Sequence, residues 1–183
     1  MIGADDIRHL RTASSEHAAT EALKAEFSNR RKERSPFFLT ADELDRIFRW
    51  KLRSQYRRQA HIRARNNDVA YRAVTEAAFK VVDSDPEYEC TVRVGLLIAL
   101  PGIGVPVASA VLALIDPQRY CVIDFRGWRS VFGEAREGKA FLIPDYLRYR
   151  TKVAQLAAEL DWSVQEADLA IWEYDRRRRA AKP

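Results

Sequence analysis

At 183 residues, with 47% apolar and 31% charged, the chain is long enough to bury one compact core or two small lobes sharing a cleft. No apolar run reaches membrane-spanning length, and a polar start without a signal-like apolar core predicts a cytoplasmic protein with no membrane partner. The formal net charge is +5, and Cys90 and Cys121 stand far apart with no CxxC, which argues against a disulfide framework or a zinc site and for two buried thiols.

In chain order the pattern is helical nearly throughout. A short helix over 5–11 precedes a charged amphipathic helix over 18–31, and Pro36 marks a boundary after the basic stretch 29–34. Thr40-Ala41-Asp42-Glu43 is a capping box, opening a helix that buries Leu44, Ile47, Phe48 and Leu52 with Arg46, Arg49 and Arg53 outside. Residues 55–65 carry few apolar anchors, Ala60 and Ile62 being the candidates. Asn66-Asn67-Asp68 breaks that stretch and caps a helix over 69–82, with Val69, Ala73, Ala77 and Phe79 expected inside.

Helices over 88–99 and 105–115 flank a glycine-rich turn, and Asp116-Pro117 ends the second. Residues 120–123 are extended but too short for a sheet, so they read as a link into a helix over 125–132 with Asp124 at its N-cap. A polar loop covers 133–138. A helix over 144–160 turns Leu147, Val153, Leu156 and Leu160 inward, and Ser163-Val164-Gln165-Glu166 is a second capping box. The last helix runs through Leu169, Trp172 and Tyr174 into a basic tail, 176–179, expected to fray. The fold class is therefore all-α, with about ten helices in a single domain, 1–183. If it divides into lobes, they are 1–40 with 133–183, and 41–132.

Charge is concentrated. Residues 44–72 hold nine Lys or Arg (Arg46, Arg49, Lys51, Arg53, Arg57, Arg58, Arg63, Arg65, Arg72) against Asp45 and Asp68. Such a face suits a polyanion, because each neutralised phosphate releases counterions, although a charge run also serves as an ordinary solvated face. In Leu100-Pro101-Gly102-Ile103-Gly104, glycines at two positions permit positive φ and close approach of a ligand. Ala108, Val111, Leu112 and Ile115 then recur at helical spacing, with Ser109 and Ala110 small enough for close packing. Unpaired N–H groups at that helix start make an anion grip without any basic side chain, though a plain helix–helix turn has the same sequence.

Residues 100–104, the Ala-rich helix, the irregular link and Asp124 within Val122-Ile123-Asp124-Phe125-Arg126 together resemble the helix-hairpin-helix DNA glycosylase superfamily, the endonuclease III-like proteins. The likeness covers about forty residues. It implies a compact two-lobed helical fold, DNA as partner, a monomer, and a hydrolase of base-excision repair. It makes Asp124 the catalytic carboxylate, Gly102 and Gly104 phosphate donors, and the carbonyls of Ile98, Leu100 and Ile103 ligands of a structural monovalent cation. No other cofactor is implied, since the iron–sulfur loop of some members needs four cysteines. Pro106 stands where bifunctional members have a nucleophilic lysine, so the resemblance implies a monofunctional enzyme using water, with one hairpin donor missing. A non-catalytic helix-hairpin-helix DNA-binding protein, or a helical adaptor for an acidic protein, would share much of this pattern, and Asp124 would then be a plain N-cap.

Base excision needs a fixed carboxylate near a sugar that gains oxocarbenium character, and a pocket for the extruded base. Candidate pocket residues are Trp50, Lys51, Tyr56, Asn66, Asn67 and Trp128, with Tyr71 a further aromatic; core packing is the competing use of each aromatic. Arg126 and Arg129 stand ready for phosphate or for pairing with Asp124. His9, His17 and His61 have no metal-ligand spacing, and no P-loop or Ser-His-Asp order occurs.

Overall fold

The computed structural model describes residues 2–136 and 138–180. Helices run in the order α1 (Ala4–Ile7), α2 (His17–Glu33), α3 (Ala41–Leu52), α4 (Ala60–Arg63), α5 (Asp68–Lys80), α6 (Pro86–Ile98), α7 (Val105–Ile115), α8 (Phe125–Phe132), α9 (Ile143–Leu160) and α10 (Val164–Ala180). Short 3-10 turns cover Arg8–Leu10 and Arg53–Gln59. Among the described residues there is no strand, so the chain is all-α. No helix among them is long and apolar enough to cross a membrane.

The helix starts are set locally. Thr40 Oγ1 accepts the Glu43 N–H at 3.3 Å while the Glu43 carboxylate accepts the Thr40 N–H at 2.8 Å. Ser163 and Glu166 repeat the exchange at 3.2 and 2.9 Å. Asn67 and Asp124 cap α5 and α8 through the N–H groups of Ala70 and Gly127, each at 2.8 Å. Each cap contributes on the order of 1 kcal/mol, enough to place an end but not to choose a packing face.

Helix α7 is the axle. Every residue in it except Pro106 is buried, and α2, α3, α6 and α9 pack around it. A second group forms about α10, which packs on α8, α9 and α1. Helix α8 thus sits with the C-terminal helices and not with the hairpin half. Trp128 is 1% exposed, among Phe132 and Phe141, so it is core and not pocket wall.

Between α7 and α8 runs the short link, and it has no strand partner. Side chains from four helices hold it instead. Tyr146 Oη donates to the Cys121 carbonyl at 3.0 Å, and Asp168 accepts the Val122 N–H at 2.9 Å. Ser109 Oγ accepts the Ile123 N–H at 3.1 Å, and Lys51 Nζ donates to the Ile123 carbonyl at 3.4 Å. A buried backbone needs such partners, and here they also fix where the chain delivers Asp124.

Three local expectations change. Helix α5 buries Tyr71, Thr75 and Ala78, leaving Val69 73% exposed and Ala73 and Ala77 on the surface, with Phe79 half-buried. The polar tips are satisfied inside: Thr75 Oγ1 accepts the Leu39 N–H at 2.9 Å, and Tyr71 Oη donates to the Arg63 carbonyl at 3.1 Å. A satisfied hydroxyl can be buried at small cost, so the apolar count misidentified the inner face. The basic tail is helical through Ala180, where Arg176 and Arg177 both bond Glu173. On α9, Tyr146 and Tyr149 are as fully buried as Val153, and Leu147 is only half-buried.

Gly127 is where α8 meets α9. A Cβ there would stand 2.2 Å from Tyr149 Oη, and that hydroxyl is itself tied to Asp168 at 2.6 Å. Gly127→Ala should lower stability by about 1–3 kcal/mol, read from urea unfolding midpoints. An unchanged midpoint would show that α8 and α9 can separate freely.

Candidate active site

The hairpin is a tight turn between α6 and α7. The Ile103 N–H closes it by donating to the Leu100 carbonyl at 3.0 Å. Gly102 has φ +81°, and a Cβ on it would stand 2.6 Å from Arg63 Cγ, so only glycine fits there for two separate reasons. Gly104 differs from expectation: its φ of −97° is ordinary extended backbone, and it is the N-cap of α7. Its lack of a side chain matters for access, because it is exposed toward the groove. Among the described residues no hydrogen bond takes the N–H groups of Gly102, Gly104 or Val105. Asn66 Nδ2 donates to the Pro101 carbonyl at 2.8 Å, bracing the turn from behind.

Asp124 stands one link beyond α7. Its Oδ1 accepts the Gly127 N–H, and its Oδ2 lies 3.9 Å from Lys51 Nζ, with the side chain 28% exposed. The carboxylate is therefore open. Arg126 and Arg129 turn to Asp175 on α10; the Arg129 fork meets both carboxylate oxygens at 3.0 and 2.8 Å, and Arg126 lies at 3.8 Å.

Two cavities meet at this point. One, about 480 Å³, is walled by Gly102, Gly104, Pro106, Phe125, Phe141 and Arg129. The other, about 240 Å³, is walled by Trp50, Trp172, Val122, Gln165, Asp168 and Leu169. Lys51, Leu52, Gln55, Asp124 and Arg126 belong to both walls. Hairpin and carboxylate thus share one groove, and an aromatic-walled recess opens behind the carboxylate.

No family model matches the chain, and neither does any curated protein or solved structure.

The groove's electrostatics come from burial against charge. Burial pushes the Lys51 ammonium below the ordinary lysine range, the Asp124 and Asp168 carboxylates pull it back up, and Arg53 opposes them. Burial raises the Asp168 carboxyl to about 7; the Tyr149 hydroxyl and Val122 N–H hold it lower than burial alone would, and the Asp124 charge pushes it higher. Burial thus moves the proton affinities of the Lys51 amine and the Asp168 carboxylate toward one another.

Of the sequence candidates, Trp50 and Lys51 reach the cavities, and four do not. Tyr56 donates to Asp45 and stacks near Arg49 and Arg63. Asn66 braces the hairpin, Asn67 caps α5, and Trp128 is core. Of the basic segment, Arg46, Arg49, Arg53 and Arg72 are neutralised by Glu26, Asp45, Glu16 and Asp68, and Arg63 is buried. Exposed Arg57, Arg58 and Arg65 have no ion partner among the described residues. The positive face is smaller than its composition suggests.

Sequence reasoning missed Asp168, Gln165 and Trp172. A signal for Asp168 was available: Val164, Ala167, Asp168 and Ile171 lie at helical spacing on one face, so a carboxylate interrupts an apolar stripe. Both thiols, Cys90 and Cys121, are free and buried, as their spacing suggested.

Proposed function

We propose that this protein is a DNA N-glycosylase, hydrolysing the bond between a base and its deoxyribose. One observation carries the reading: Asp124 and Lys51 form the partition between a hairpin-lined groove and an aromatic-walled recess of single-base size. A nucleotide laid across that partition would put its phosphate at the α7 N-terminus, its sugar over Asp124 and its base beside Trp50 and Trp172. Exposed Arg57, Arg58 and Arg65 supply further contacts to the backbone. As the C1′–N bond lengthens, positive charge develops on the sugar; Asp124 stabilises it and takes a proton from the attacking water. A monovalent cation on the carbonyls of Ile98, Leu100 and Ile103 belongs to the same proposal, and the Leu100 oxygen already accepts one N–H. No step depends on it.

The position of Lys51 favours a second reading. Pro106 excludes a nucleophile directly after the hairpin, but Lys51 on α3 brings an amine to the same carboxylate. Burial favours its neutral, nucleophilic form. Its nitrogen would attack C1′ as the bond to the base breaks, the departing base taking a proton, and the resulting imine would permit strand cleavage. The test is one experiment with two arms. Labelled oligonucleotides carrying single modified bases are incubated with the protein, and alkali is added to reveal abasic sites. Parallel samples receive borohydride, which traps an imine. Abasic sites without trapping assign water as nucleophile, and trapping that Lys51→Met abolishes assigns the lysine. Salt-sensitive DNA binding with no abasic product would leave a DNA-binding module, and absence of DNA binding at low salt would overturn the nucleic-acid reading altogether.

A further inference from the structure

The recess behind Asp124 has a rim and a floor of different character. Glu16, Arg53 and Arg126 stand at the partly exposed rim, and Glu16 and Arg53 are paired at 3.2 Å. Val122, Gln165, Asp168 and Leu169 are the buried lining. Two of these are apolar. Lys24 Nζ donates to the Gln165 side-chain oxygen at 3.0 Å, and that oxygen is a single neutral acceptor. The stronger acceptor on the floor is the Asp168 carboxyl group, whose two oxygens each take one donor, Tyr149 Oη at 2.6 Å and the Val122 N–H at 2.9 Å. A carboxylate oxygen can accept twice, so each keeps a site.

We infer that the recess selects bases bearing an exocyclic amino group, which donates to Asp168 while the ring lies against Trp50 and Trp172. That a base enters the recess at all rests on the glycosylase reading above. The size agrees: a cavity near 150 Å³ holds a benzene ring, and this one, at about 240 Å³, holds a one- or two-ring heterocycle. A buried acceptor rewards a matching donor strongly and penalises a ligand that lacks it, because occupancy strips the carboxylate of water. Arg53 at 5.1 Å and Arg126 at 5.2 Å lie over the Trp172 ring, cation–π contacts that an entering base shares or displaces.

The charge on Asp168 must then matter. The groups facing it are Tyr149 from α9, Asp124 at the head of α8, Lys51 from α3 and Cys121 in the link. An ionised Asp168 accepts from an amino group with both oxygens, whereas a protonated one gives up an acceptor site. The preference for amino-bearing bases therefore grows from pH 6 to pH 8.

The test compares bases that differ only by the amino group: adenine with purine, and cytosine with pyrimidin-2-one. Binding of each free base to the intact protein is followed by tryptophan fluorescence and by calorimetry, without DNA or catalysis. At pH 8 at least one amino base should bind about tenfold more tightly than its partner, and Asp168→Asn should reduce that ratio to about twofold or less. The ratio should fall at pH 6. Equal affinity within both pairs, a preference that survives Asp168→Asn, or no saturable binding of any of the four overturns the inference. An amino preference in a protein that releases no base would keep the recess as a base site and remove only the enzyme. Base release without the preference would do the reverse.

Discussion

Asp124→Asn should abolish most base release, lowering the single-turnover rate by about 10²–10⁴-fold, while DNA affinity stays the same or rises slightly. The substitution isolates charge from structure. Asparagine caps a helix as well as aspartate, so the bond to the Gly127 N–H survives and α8 keeps its start. What disappears is the negative charge in the groove, 3.9 Å from Lys51. A thermal melt unchanged to within a degree or two would confirm that fold is not the variable. A gel shift measures affinity, and alkali-revealed abasic sites measure chemistry. If the variant excises bases at the wild-type rate, Asp124 is only a cap and another group does the chemistry.

The second large effect concerns stability. Burial lifts the Asp168 carboxyl from its ordinary 3.8 to about 7. Between those values the folded protein holds a proton that the unfolded chain releases. This contribution to stability is fully present below about pH 4 and is lost as the pH rises through about 7. The loss is of order 4 kcal/mol, three pKa units at roughly 1.4 kcal/mol each. Asparagine cannot ionise, and it can still accept the Val122 N–H. Asp168→Asn should therefore match the wild type near pH 4, lead it by about 1–2 kcal/mol (about 1.4 kcal/mol per pKa unit) at pH 5 and by about 4 kcal/mol at pH 8, in urea melts taken at unit pH steps. Taking the difference between the two proteins cancels opposite trends from other groups, such as Glu173, which the Arg176 hydrogen bond holds below its ordinary value. Curves that run parallel from pH 5 to pH 8 would show that Asp168 does not carry this proton. The buried carboxylate accepts the Val122 N–H and forms the polar floor of the recess.

Much of this molecule was legible before any coordinates. The caps at Thr40, Asn67, Asp124 and Ser163 use bonds that close over two or three residues, so the sequence window contains both partners. The hairpin was equally plain, since Gly102 needs a positive φ that few other residues accept. The extended link and its aspartate followed from their position between two helices. Composition misled where pairing decides the outcome, as in the basic segment, four of whose arginines are neutralised by carboxylates, two of them on another helix or its edge.

By itself, then, the sequence determined that the chain is helical nearly throughout, where the helices capped by Thr40, Asn67, Asp124 and Ser163 begin, and that a glycine turn and an aspartate lie one short link apart. Only the tertiary structure decided that Lys51 and Asp168 reach that aspartate, that Tyr56, Asn66, Asn67 and Trp128 do not line the recess, and which side of α5 turns inward. The reason is the range of the forces involved. Capping and turn geometry are settled within one helical turn, whereas a buried ammonium or carboxylate is tolerated only after distant helices have packed, removed its water and supplied its partners.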